Sequence, residues 1–127
     1  MRATPQRDTG PELKLRKAVH ALGLRYRVDQ RPLGSLRRRA DLVFASARVA
    51  VFMDGCFWHG CPLHGTLPAR NHEWWRAKIE RTRDRDADTT LALEGAGWTV
   101  VRVWEHEEPV AAALRIAWVV SSRRPAR

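Results

Sequence analysis

Residues 49–53, Val-Ala-Val-Phe-Met, form a nearly unbroken apolar run. A strand with one face in water alternates polar and apolar residues. A run without alternation belongs to a central strand covered on both faces. This segment therefore demands a sheet with helices on either side. A second strand-like segment, Ala40-Asp41-Leu42-Val43-Phe44, precedes it by only four residues, Ala45 to Arg48. So short a connection joins antiparallel neighbours, because a parallel crossover needs a dozen residues or more.

The flanking segments supply the helices. Thr9-Gly10-Pro11-Glu12 has the form of a capping box, and Leu15, Val19 and Leu22 follow at helical spacing before Gly23, predicting a helix over 10–22. Residues 24–28 alternate as a half-buried strand, and Pro32-Leu33-Gly34 reads as a turn. Asn71 can cap a long helix over 72–94, ended by Gly95 and Gly97. Its inward stripe runs Trp75, Ile79, Thr82, Asp86, Thr89 and Leu93, with Asp86 interrupting an otherwise core-facing row. Trp98 to Trp104 is rich in β-branched residues and predicts a strand. Pro109, at a first helical turn, opens a last helix to about Val120. The order predicts one α/β domain over 1–120, a small mixed β-sheet flanked by helices, with a flexible polar tail over 121–127.

At 127 residues the chain is sized for one domain. Lys plus Arg is 23 against 14 Asp plus Glu, a net charge of +9, and the only lysines are Lys14, Lys17 and Lys78. An arginine-rich excess of this kind favours a polyanion, most simply nucleic acid. No apolar run reaches the roughly 18 residues of a membrane span, and residues 1–8 lack the apolar core of a secretion signal. A cytoplasmic protein with no membrane partner is expected, and in that compartment the two cysteines point to metal rather than to a disulfide.

Cys56, Cys61 and His64 form a C-x4-C-x2-H cluster, and His106, after the last strand, could close a tetrahedral structural zinc shell. His59 competes for a ligand place. Asp41 interrupts an apolar strand, where an unpaired carboxylate is costly. Asp54 ends the next strand, so the hairpin brings both near one end, where they could hold a hard cation with the Met53 carbonyl. Blander roles stand beside these: a salt bridge from Asp41 to Arg37, Arg38 or Arg39, a turn at Asp54-Gly55, and the capping box at Glu12. Phe57-Trp58 is an aromatic pair among the candidate zinc ligands, and Trp74-Trp75 is a second pair at the start of the long helix. Such side chains can wedge into a base step.

Several strings in the chain resemble one family. Arg7-Asp8-Thr9 with Pro11-Glu12-Leu13, Arg39-Ala40-Asp41-Leu42-Val43-Phe44 and Val51-Phe52-Met53-Asp54-Gly55-Cys56-Phe57-Trp58-His59 are similar to the very short patch repair (Vsr) mismatch endonucleases. Trp75, Lys78-Ile79, Asp86, Gly97-Trp98 and Trp104-Glu105 continue the match, so that it covers roughly 1–107. The resemblance implies a variant of the PD-(D/E)XK nuclease fold. It implies an enzyme that nicks one DNA strand 5′ of the thymine in a T:G mismatch left by 5-methylcytosine deamination.

By that resemblance Asp41 and the Met53 carbonyl bind catalytic Mg2+, His59 activates water and Glu12 supports the site. Phe57, Trp58 and Trp75 wedge into the duplex, Met1 inserts from the other groove, and Arg7, Lys78 and Thr82 lie where the family meets DNA. Asp54 stands where the best-known members carry a second active-site histidine, and His106 where they carry a zinc-binding cysteine. Thr82 replaces an asparagine that touches the mismatch. A monomer is expected, with a functional link to a cytosine methyltransferase and repair proteins. Two other readings remain at this stage: a nicking or restriction-type endonuclease of broader or different lesion specificity, and a zinc-stabilised DNA-binding module without catalysis.

Overall fold

The structure, a computed structural model, describes residues 10–34, 38–55 and 70–123. Its elements are α1 (Gly10–Ala21), β1 (Arg27–Gln30), β2 (Ala40–Phe44), β3 (Val49–Asp54), α2 (His72–Gly95), β4 (Thr99–Trp104) and α3 (Pro109–Arg123). The strands form one mixed sheet in the order β1-β2-β3-β4. β1 and β2 pair antiparallel, as do β2 and β3, and β3 pairs parallel with β4. The unbroken apolar run is thus a central strand, as its composition demands, and the hairpin expected from the Ala45–Arg48 connection is present. Arg48 takes the left-handed conformation that closes that turn (φ 54°), and its N–H bonds the Ala45 carbonyl at 3.2 Å.

Both faces of the sheet are covered, by different helices. On one face Leu15 and Val19 of α1 and Ala112, Ala113, Ile116 and Val120 of α3 pack against Leu42, Phe44, Val49, Val51, Val101 and Val103. On the other, Leu93 of α2 packs with Val43, Ala50 and Phe52. The alternation along β3 follows directly, with Val49, Val51 and Met53 facing α1 and α3, and Ala50 and Phe52 facing α2. In α2 the expected stripe turns inward: Ile79, Thr89 and Leu93 are buried, while Trp75, Thr82 and Asp86 are half-buried. Among the described residues no helix is long and apolar enough to cross a membrane.

Several boundaries differ from the sequence reading. The first strand lies at Arg27–Gln30, not 24–28, although Leu24, Tyr26 and Val28 do alternate onto the core. Arg27 pairs with Val43, so residues 24 and 25 lie level with the β2–β3 turn, where no strand offers a ladder. Tyr26 is held instead by its hydroxyl, which donates to the Arg16 carbonyl at 3.0 Å. Asn71 precedes α2 but does not cap it through its side chain; it sits in the left-handed region (φ 58°). α3 continues to Arg123, three residues beyond the expected Val120, and 124–127 lie outside the described residues.

The end of α2 fixes where β4 begins. Gly97 N–H bonds the Glu94 carbonyl at 3.0 Å and Trp98 N–H bonds the Leu93 carbonyl at 2.9 Å, a Schellman closure. Gly97 has φ +90°, and a Cβ there would stand 3.4 Å from the Arg48 guanidinium. Gly97→Ala should therefore cost about 1 kcal/mol. A urea titration should show this as a lower midpoint with an unchanged slope.

Candidate active site

Asp41 is the second residue of β2, and its side chain turns to the end of β3. Met53 N–H donates to Asp41 Oδ2 at 2.6 Å, which ties the two strands together at the end where the candidate residues gather. Burial pushes the Asp41 carboxyl up from the ordinary 3.8 to about 7. The Met53 N–H opposes this, and the Glu12 charge, a hydrogen bond shared with Glu12 and the Asp54 charge add to it. Glu12 and Asp54 are themselves buried, at 7% and 6% exposure. Glu12 comes from the first turn of α1, with Arg16 one turn on at 3.8 Å from its carboxylate. The candidate salt bridges to Asp41 go elsewhere: Arg38 Nε donates to Thr89 Oγ1 at 3.3 Å, and Arg39 Nη1 to the Asp29 carbonyl at 2.9 Å. Arg37 lies outside the described residues.

Asp54 is not a simple turn residue. Its Oδ1 accepts Arg102 Nη1 at 2.9 Å, from the middle of β4. Sequence reasoning missed Arg102, although its signal is the same as that of Asp41: a charge interrupting a β-branched strand. The two are diagonal neighbours on one face of the sheet, because β3 and β4 run parallel with Phe52 opposite Arg102 and Asp54 opposite Trp104. Glu12, Asp41, Asp54, Arg38, Asp86 and Arg102 line an open cleft of about 340 Å3 between the sheet end and α2.

Among the described residues no three His, Cys, Asp or Glu side chains converge closely enough to complete a metal shell by themselves. Mg2+ does not require one. It takes one or two carboxylates and fills the rest of its octahedron with water and substrate oxygens. Asp41, which holds its proton up to about pH 7, offers a carboxylate of the right chemistry with Glu12 beside it, since a divalent cation can replace that proton.

The remaining candidates divide by position. Trp75 is half-buried, meeting the exposed Trp74 edge-on at 4.7 Å, and Lys78 Nζ stands 5.6 Å from the Trp74 ring centre. Thr82 donates its hydroxyl to the Lys78 carbonyl at 3.1 Å, so that it is bonded back into the helix. Trp75, Lys78 and Thr82 therefore share one face of α2, three and four residues apart. His106 is exposed just past β4 and stacks on Trp104 at 6.4 Å. Met1, Arg7, Cys56, Phe57, Trp58, His59, Cys61 and His64 lie outside the described residues.

A small mixed sheet between helices, with an acidic cleft at its strand ends, fits an α/β nuclease-like fold. The family model for the DNA mismatch endonuclease Vsr matches residues 1–64. The chain is 46% identical over 110 residues to the type II nicking enzyme V.NaeI of Lentzea aerocolonigenes, covering 85% of this chain and 66% of that protein. It is 42% identical over 109 residues to the type II nicking enzyme V.NmeDIP of Neisseria meningitidis serogroup C, covering 84% and 72%. It is 38% identical over 107 residues to the DNA mismatch endonuclease Vsr of Escherichia coli K12, covering 83% and 66%. The chain belongs to the Vsr family of DNA mismatch endonucleases, nucleases that act on phosphodiester bonds. It spans about two-thirds of the length of V.NaeI and of E. coli Vsr.

The raised Asp41 value fixes a sign. The folded chain holds this proton more tightly than the unfolded chain does. Stability contributed by the group is therefore full below pH 3.8 and is lost as pH rises through about 7. In buffer free of divalent cations, Asp41→Asn should be more stable than the parent at pH 8 by on the order of 1–3 kcal/mol. The two should converge near pH 4, as read from paired denaturant titrations.

Proposed function

We propose that this chain is a Mg2+-dependent endonuclease that nicks one DNA strand on the 5′ side of the thymine in a T:G mismatch. The observation that carries the reading is the Asp41 carboxyl, half-buried at the junction of β2 and β3 against Met53 N–H, with Glu12 and Asp54 around it. A protein that only binds DNA gains nothing from such a carboxylate, which lowers its stability. In this reading the fold is a PD-(D/E)XK variant. Asp41 and the Met53 carbonyl would hold the cation, which supplies Lewis-acid polarisation of the phosphodiester, with Glu12 supporting its waters. Asp54 orients water, His59 accepts its proton, and Phe57, Trp58 and Trp75 wedge beside the mismatch. The arginine excess binds phosphates, as does Arg7. Met1, Lys78 and Thr82 approach the mismatched pair.

Zinc, held by Cys56, Cys61, His64 and His106, belongs to the same proposal. β3 and β4 end side by side, with Asp54 opposite Trp104 and Glu105 N–H bonding the Asp54 carbonyl at 3.0 Å. Cys56 and His106 each follow that level by two positions in sequence, which supports their serving one tetrahedral ion.

A second specificity has its own support. Relatives of this chain are named type II nicking enzymes, and the Thr82 hydroxyl is already bonded to Lys78. Strict T:G preference and the flanking bases are therefore read from an experiment: end-labelled duplexes carrying each mismatch in varied context, with Mg2+. Cutting confined to T:G supports the leading proposal, and equal rates on matched duplexes replace it with a broader nickase. Asp41→Ala should lose at least about a thousandfold in nicking rate, with duplex affinity held within about threefold. Rapid cutting by that variant would sink the catalytic assignment. Purified protein should hold one zinc per chain, and Cys56→Ser should lower the melting temperature by on the order of 10 °C. A zinc-free, equally stable parent would exclude the structural ion.

A further inference from the structure

Arg102 is the only charged residue of β4, Thr-Val-Val-Arg-Val-Trp. All three guanidinium nitrogens are engaged by the protein. Nη1 donates to Asp54 Oδ1 at 2.9 Å, Nη2 to the Asp86 carbonyl at 3.1 Å and to Thr90 Oγ1 at 3.3 Å, and Nε to Thr90 Oγ1 at 3.4 Å. Its carbon lies 4.7 Å from the centre of the Phe52 ring. The backbone beneath it is braced in turn: Arg115 Nη2 donates to the Arg102 carbonyl at 2.7 Å, and Arg115 Nη1 meets Glu107 Oε1 at 2.9 Å.

A guanidinium that recruits a phosphate keeps an edge of its fork toward the ligand. This fork is spent on β3 and α2. What it holds is a buried carboxylate at the cleft, next to the Asp41–Glu12 pair. Without Arg102, the Asp54 carboxylate would be drawn to a divalent cation held at Asp41 and would displace a water or phosphate oxygen that hydrolysis needs.

We propose that Arg102 is a positioning residue for strand cleavage: its fork fixes the Asp54 carboxylate beside the cation site and outside its ligand set. This rests on the hydrolytic reading given above. It separates two quantities that ordinary damage moves together. Loss of the Arg102 charge lets Asp54 join the cation, so affinity rises while the rate falls.

The test is Mn2+ titration into the metal-free protein at pH 8, followed by calorimetry, alongside nicking of a T:G duplex with Mg2+. Near-ultraviolet circular dichroism checks the fold of each variant. Arg102→Met should bind Mn2+ about 3–30-fold more tightly, yet nick about 10–100-fold more slowly. Arg102→Lys keeps the charge and loses the fork, so its affinity should return to that of the parent while only part of the rate is recovered. The variant carrying both Asp54→Asn and Arg102→Met removes both charges of the pair, and it should nick within about threefold of Asp54→Asn alone. Affinity and rate falling together in Arg102→Met, or losses that multiply in the double variant, would overturn the proposal. If the parent binds no Mn2+, the hydrolytic reading fails first. If the parent binds and nicks and Arg102→Met matches it, the positioning role alone fails.

Discussion

The bond from Met53 N–H to Asp41 Oδ2, at 2.6 Å, is the contact on which the site depends. It joins the start of β2 to the end of β3, so a carboxylate is fixed by the same hairpin that builds the centre of the sheet. The hairpin is held firmly on both sides, by β1 on one edge and by the parallel β4 on the other. That support is needed, because burial and two neighbouring carboxylates work against an ionised Asp41. A surface loop would relieve such repulsion by moving. Two strands locked in register between two apolar layers cannot. The strain is therefore carried at the cleft, and the core on either face supplies the stability that tolerates it.

How much of this was legible depended on which interactions are local in sequence. The unbroken run at 49–53 and the four-residue connection before it sufficed to place β2 and β3. The 3.6-residue stripe from Trp75 to Leu93 likewise sufficed for α2. Asp41 was legible because a charge in an apolar strand has a cost that only a partner or a function offsets. The misplacement of β1 has a different origin. Alternation at Leu24, Tyr26 and Val28 reports which side faces the core, but a ladder needs a neighbour, and β2 is only five residues long. Arg102 carried the same signal as Asp41, a charge in an apolar strand, but its role did not show. Its partners are 48, 16 and 12 residues away, and nothing in the local pattern separates a strand arginine that points into solvent from one that holds Asp54.

The role of Asp54 changes most once that partner is seen. On its own, Asp-Gly after a strand is ordinary turn chemistry. Set against Arg102, it becomes the buried half of a partly buried ion pair. Such pairs return little net stability, because desolvating both charges consumes most of the attraction. A hydrophobic pair in the same place would pack as well, with none of that cost. The pair is therefore poorly explained as a stabiliser and better explained by where it puts a carboxylate. Charge also argues this way. In a chain with 23 basic and 14 acidic residues, three buried or half-buried acids at one strand end are a concentration against the trend of the molecule.

α2 connects this acidic end to the aromatic one. Its last turn lies on the sheet through Leu93, and its Asp86 carbonyl takes part in holding Arg102. Its first turns carry Trp74, Trp75 and Lys78, with Trp74 more than half exposed. A helix of 24 residues is about 36 Å long and stiff over that length. A load on the side chains of its first turns is therefore carried by the same rigid element that touches Arg102 three turns later. The Asp86 contact is made by the main chain, so it does not depend on the side chain that interrupts the stripe. In this arrangement the distance between the aromatic pair and the carboxylates of the cleft is set by helix geometry rather than by a loop. Under the proposed function, that constraint would hold cleavage at a fixed offset from the distortion the aromatics meet.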